Sequence, residues 1–150
     1  MRRKGTRGLR AKAVRSLSVT YLPAGHRAAP VVRDDEGPQE LRARTKAFAL
    51  RIIKLYRALP RSEELRVLGR QVLRSGTAVG ANCREARRAR SDAEFVAKMG
   101  ACLKELEESD YWLELLADAK VLPASRLVEI IAETRELAAI FFSIIRSKSE

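Results

Sequence analysis

A chain of 150 residues with a single histidine, His26, and two cysteines, Cys83 and Cys102, is one domain's worth of sequence and lacks the ligands for a metal centre, since the cysteines form no CxxC spacing. Thirty Lys and Arg against 19 Asp and Glu leave a net charge of +11, a balance that suits a polyanionic partner. No run approaches the roughly 20 apolar residues of a membrane span, and the N-terminus lacks the apolar core of a secretory signal, so the expectation is a cofactor-free cytoplasmic protein whose cysteines are reduced packing residues.

Residues 1–38 carry nine Lys and Arg against three acidic residues, contain four Gly and three Pro, and show no sustained helical period. This composition predicts a disordered basic tail. An over-extended reading-frame start or an Arg-rich targeting segment would look the same in sequence. Residues 39–150 form the predicted domain.

From residue 39 the pattern changes. Phe48, Ile52, Leu55 and Leu59 recur at helical spacing, with Arg44, Arg51, Lys54 and Arg57 between them, until Pro60 removes the amide a helix would need. Ser62 is placed to cap a second helix, in which Leu65, Leu68, Val72, Val79, Cys83 and Ala86 keep a seven-residue beat to about Arg88. Ser91-Asp92-Ala93-Glu94 has the form of a capping box and starts a third helix, whose seam runs through Phe95, Met99, Cys102, Leu106, Leu113 and Leu116 and should close near Lys120. Ser125 is the expected cap of a fourth, with a broad apolar face from Leu127 to Ile145. Four amphipathic helices joined by short connections predict an all-α, antiparallel, up-down four-helix bundle.

Charge is unevenly divided along this pattern. Residues 42–90 hold 14 basic residues against Glu63, Glu64 and Glu85, while residues 91–150 hold seven against 12 acidic ones. Arg66, Arg70 and Arg74 recur one turn apart, and Arg84, Arg87, Arg88 and Arg90 cluster at the end of the second helix. One reading is a solvated face, with the cluster favoured by the helix dipole or facing the acidic helices of a neighbouring subunit. The other is a phosphate-binding surface formed by Arg66, Arg70, Arg74, Arg84, Arg87 and Arg88, binding backbone rather than base because no aromatic RNA-stacking motif accompanies it.

The stretch Arg74 to Ala86 is unusual for a helix interior, because Gly76 and Gly80 each cost about 1 kcal/mol relative to Ala. Four residues apart, they share a face, which points to close approach by another helix; a phosphate-cradling loop would need a following Lys-Ser or Lys-Thr. This stretch resembles the small bacterial four-helix proteins first found as reading frames within intervening sequences of 23S ribosomal RNA genes. The resemblance rests on Arg74-Ser75-Gly76-Thr77, Val79-Gly80-Ala81-Asn82, Glu85-Ala86, Phe95, Lys98, Lys104-Glu105, Glu108 and Tyr111-Trp112-Leu113, and extends more weakly over about residues 45–146. It implies a bundle that assembles as a homo-oligomer, a pentamer in many members, with molecular function largely unassigned. A more distant similarity, to the accessory variability proteins of diversity-generating retroelements, implies RNA or a nucleoprotein such as a reverse transcriptase as partner.

Within the matched segment Asn82, Glu85, Glu105, Glu108 and Tyr111 are the polar residues to weigh. Paired carboxylates at Glu85 and Glu108 would have no base, nucleophile or metal to work with, and the Glu-x-x-His signature of di-metal bundles is absent. They are read instead as hydrogen-bonding to Arg74, Arg84 or Lys104 within or between subunits, with Tyr111-Trp112 as a core or interface anchor. The expectation is a non-enzymatic assembly protein that contacts RNA or a nucleoprotein, or else a protein-interaction adaptor without nucleic acid.

Overall fold

The computed structural model describes residues 38–150, so the tail reading lies outside the described residues except for Pro38. Among the described residues there are four α-helices and no strand: α1 Pro38–Ala58, α2 Glu63–Ala86, α3 Asp92–Asp118 and α4 Ala124–Ser149. α1 opens on proline, whose fixed φ suits a first helical turn. Ser62 accepts the Leu65 amide at 3.2 Å and starts α2.

At the start of α3 the capping differs in detail from the predicted box. Ser91 Oγ accepts the Glu94 amide at 3.1 Å, but the Glu94 carboxylate reaches one residue further back, to the Arg90 amide at 2.8 Å. α3 closes at Asp118, and Lys120 takes φ of 54°, letting the Val121 amide reach the Leu116 carbonyl at 3.3 Å in a Schellman-type turn. Ser125 does not cap α4. Pro123 holds that position without a side-chain cap, and Ser125 falls inside the first turn, because buried Leu122 anchors the connection and sets where the chain can turn.

Cross-helix contacts fix an up-down-up-down order. α1 runs against α2 with Ile52 at Gly76 and Thr45 at Gly80. α2 runs against α3 with Glu85 at Lys98 and Arg74 at Glu108, and α3 against α4 with Asp92 at Lys148 and Asp110 at Arg135. Phe48, Ile52, Val72, Val79, Cys102, Leu106, Leu113, Leu127, Leu137 and Phe141 fill the interior at 2% exposure or less, each removing a side chain's worth of apolar surface from water, about 1.5–3 kcal/mol. α1 and α4 pack much more lightly than the other neighbouring pairs. Their seam is drawn together by Arg44, which bonds Glu133 at 2.9 Å and Glu136 at 3.0 Å, and by Arg51, 3.7 Å from Glu129. Among the described residues no helix is long and apolar enough to cross a membrane.

Candidate nucleic-acid interface

α2 presents a different chemistry on each side. Toward the core it carries Leu65, Val72, Val79, Cys83 and Ala86; toward solvent it carries the predicted arginines from Arg66 to Arg84, with Arg87 and Arg88 in the turn just past its end. Arg66, Arg70, Arg74 and Arg84 are all exposed and recur at spacings of four, eight and 18 from the first, which keeps them on one side of α2, and Arg88 is exposed in the turn that follows Ala86. Arg70 and Arg84 are separated by about 21 Å of helix axis at 1.5 Å per residue. Arg87 is exposed too and turns toward the bundle end.

The six arginines are not equivalent. Arg74 is tied into the bundle: it reaches Glu105 at 3.3 Å and bonds Glu108, whose other carboxylate contact is the Trp112 indole N–H, donating at 3.1 Å. Hydrogen bonding to Glu108 holds the Arg74 guanidinium above its usual range, and the bond from Arg74, then that from Trp112, holds the Glu108 carboxyl below the usual carboxylate range. Arg66 pairs with Glu63 one turn earlier. Arg70, Arg84, Arg87 and Arg88 have no carboxylate within ion-pair distance among the described residues. Arg70 and Arg84 on the exposed side of α2, with Arg87 and Arg88 in the turn after it, leave four free guanidinium groups of the kind that contacts a phosphate backbone.

The predicted packing residues separate in the same way. A Cβ on Gly76 would lie 2.7 Å from Ile52 Cγ1, so the Ile52 side chain occupies the space that a Cβ would need. At Gly80 the nearest atoms are 3.6 Å away, an ordinary contact that an alanine would fit. Gly69, which the spacing argument passed over, is as tight as Gly76, with Leu59 Cδ1 at 2.8 Å. Its signal would have been the seven-residue step to Gly76 on the same side of the helix.

Glu85 bonds Lys98 at 2.6 Å, not Arg84 or Lys104, and the contact raises the lysine's pKa. Glu85 and Glu108 are not a pair. Their partners across the seam put them on levels eleven residues apart along α2, about 16 Å at 1.5 Å per residue. Asn82 is half-buried and makes no side-chain hydrogen bond within the described residues. Tyr111 is 53% exposed and meets half-buried Trp112 edge-on with ring centres 5.0 Å apart. Cys83 and Cys102 are free and buried, and burial pushes both thiols up, Cys102 to about 12, so neither is a thiolate nucleophile at neutral pH. Among the described residues no group of His, Cys, Asp and Glu could hold a metal ion.

Sequence reasoning missed a cleft at the end of the bundle where α2 turns into α3. It has a volume of about 710 Å³, and its walls include Leu41, Ala86, Phe95, Met99 and Ile144, with Arg87, Arg90 and Lys148 at the rim. Phe95, predicted for the α3 seam, is half-buried at this cleft.

Residues 39–143 match the family described as 23S rRNA-intervening sequence protein, more than two thirds of the chain. The chain belongs to that family. A solved structure from Bacteroides thetaiotaomicron, described as a protein of unknown function from the S23 ribosomal protein family, superposes with a TM-score of 0.66 at 38% identity, covering 70% of this chain and 97% of its own. No curated protein matches the chain. The matched span runs from the first turn of α1 into the last turns of α4, so the family pattern is the bundle, and residues 1–38 lie outside it.

Proposed function

We propose that this member of the 23S rRNA-intervening sequence protein family is a non-enzymatic, homo-oligomeric bundle that contacts RNA, alone or within a nucleoprotein, through the exposed side of α2 and the turn that follows it. The observation that carries the proposal is that Arg70, Arg84, Arg87 and Arg88 are exposed without acidic partners among the described residues, while Arg74 on the same side is tied to Glu105 and Glu108. A cation already neutralised within the fold releases few counterions from a nucleic acid; a free one releases its full share. The family's description, which ties it to the 23S rRNA gene, supports RNA as the polyanion. Self-association, as a pentamer, is proposed on the family resemblance, since Arg44, Arg51 and Arg74 already meet the carboxylates of α3 and α4 within one bundle.

The test is RNA binding by nuclease-treated, full-length protein over a range of salt, with the oligomer sized in parallel. Wild type is expected to lose affinity steeply as salt rises. Replacing Arg70, Arg84, Arg87 and Arg88 together by Gln should flatten the log–log slope by about 0.7 for each single-strand phosphate that is no longer neutralised. Arg74→Gln should leave the slope nearly unchanged. Negligible, salt-insensitive binding by wild type would overturn the RNA reading and leave a protein-interaction adaptor in its place.

A further inference from the structure

The free arginines of α2 lead into the cleft at the α2–α3 turn, and the cleft itself is unlike a phosphate track. It is a half-open groove of about 710 Å³, within the roughly 300–1,000 Å³ of small-ligand sites, floored by the buried Leu41, Ala86 and Met99 and with half-buried Phe95 and Ile144 offering its apolar surface. Arg87 and Arg90 stand at its rim with exposed side chains that form no ion pair among the described residues, the Glu94 carboxylate being bonded to the Arg90 amide at 2.8 Å. Asp92 at the same rim lies 3.6 Å from Lys148 and is offset by it. The site therefore combines an apolar groove, one aromatic ring and two guanidinium groups outside any ion pair at the mouth.

We propose that this cleft receives the base of an unpaired nucleotide, with Phe95 against the base and Arg87 and Arg90 on the flanking phosphates. The proposal rests on the RNA reading of α2 and deepens it: the arginine track holds backbone of any sequence, and the cleft selects strands whose bases are unstacked. A duplex has no base to offer to a groove of this kind, whereas a single strand can place one on an aromatic face. Position supports the same occupant. Arg84 in the last turn of α2 and Arg88 in the turn after it flank Arg87, which lines the cleft, so the free arginines and the cleft lie at the same end of the bundle. A cleft of about 630 Å³ at the opposite end is less suited, because its Tyr56 ring is packed against Gly69, 3.0 Å from where a Cβ would stand, and Glu63 lines it.

The experiment compares three probes on full-length, nuclease-treated protein at one salt concentration: a short oligouridine, the same oligomer with abasic sites in place of its bases, and a blunt RNA duplex of equal length. Oligouridine is expected to bind about tenfold more tightly than the other two, equivalent to about 1.4 kcal/mol. Phe95→Leu keeps the site apolar without the ring and should bring oligouridine down to the duplex level while duplex affinity and the salt slope stay as they were. Equal affinity for all three probes, with an undiminished salt slope, would overturn the base-binding cleft and leave the arginine track standing. Failure of every probe to bind would overturn the track and the cleft together. The wild-type probe comparison decides even if Phe95→Leu does not fold.

Discussion

α2 meets its two neighbours in opposite ways. Toward α1 the contact is steric: Gly69 and Gly76 remove side chains so that Leu59, Tyr56 and Ile52 can settle against bare backbone. Toward α3 it is polar: buried Ser75 and Ser109 place their hydroxyls 2.8 Å apart, Cys102 Sγ lies 3.7 Å from the Val79 carbonyl, and Arg74 and Lys98 reach carboxylates across the seam. The steric flank tolerates no added volume at its tight points, while the polar flank ties together residues that bulk alone would let slide. The difference teaches which of the residues in the matched segment serve the fold and which remain for a partner: glycines and serines face other helices, and Arg70, Arg84, Arg87 and Arg88 face outward.

The largest effect is expected where the steric flank is closed. Gly76→Val would force its Cβ to within 2.7 Å of Ile52 Cγ1, and overpacking of that kind should lower unfolding free energy by about 3 kcal/mol in denaturant titration. Ile52→Ala in the same chain should recover part of the loss, because the two substitutions act on one contact. Gly80→Ala is the control. With its nearest neighbours at 3.6 Å it should be neutral or stabilise by up to about 1 kcal/mol, the helix-propensity difference. An equal loss at both glycines would mean that the flank is not closed at Gly76 in particular.

That contrast also marks how far the sequence could be read. Apolar spacing at 3.6 residues, Pro60 and the serines at 62 and 91 are local signals, and the helices follow them within a few residues. Gly76 and Gly80 share a helix face at equal weight in sequence, and only the packing of Ile52 and Thr45 makes one tight and the other ordinary. Ser125 misled because a cap depends on where the preceding chain docks, here through Leu122. The arginine stripe was legible as a stripe, and the Arg74–Glu108 bond was among the expected pairings, whereas the bond between Glu85 and Lys98 was not. Nothing local announces Arg44 either, whose partner Glu133 is 89 residues distant, or a cleft whose walls come from all four helices.

On the polar flank the expected effects are smaller. Ser109→Ala and Ser75→Ala should each cost about 1 kcal/mol, because the surviving hydroxyl keeps a carbonyl acceptor on its own helix, Val72 for Ser75 and Glu105 for Ser109. The double variant should cost less than the sum, since with both hydroxyls gone no polar group is left facing an apolar one. A strictly additive double-mutant cycle would mean that the hydroxyls, though 2.8 Å apart, do not support each other.

The smallest effect, and the one that separates packing from charge on this flank, belongs to Arg74→Gln. Arg74 is about half exposed, so its pairing with Glu108 and Glu105 is screened and should be worth under about 1 kcal/mol at moderate salt. Its sign is fixed by Glu108, whose carboxyl is held below the usual range first by the Arg74 hydrogen bond and then by the Trp112 indole. A lowered carboxyl pKa adds stability that is complete above the ordinary carboxylate value and is lost as pH falls through the lowered one. Wild type should therefore exceed Arg74→Gln in melting temperature at neutral pH, and the gap should narrow on acidification as Glu108 takes up a proton. Raising salt should narrow it too, whereas the gap opened by Ser109→Ala should respond to neither. A gap for Arg74→Gln that ignored both pH and salt would assign the arginine's contribution to the packing of its stem over Trp112 and α3 rather than to its charge.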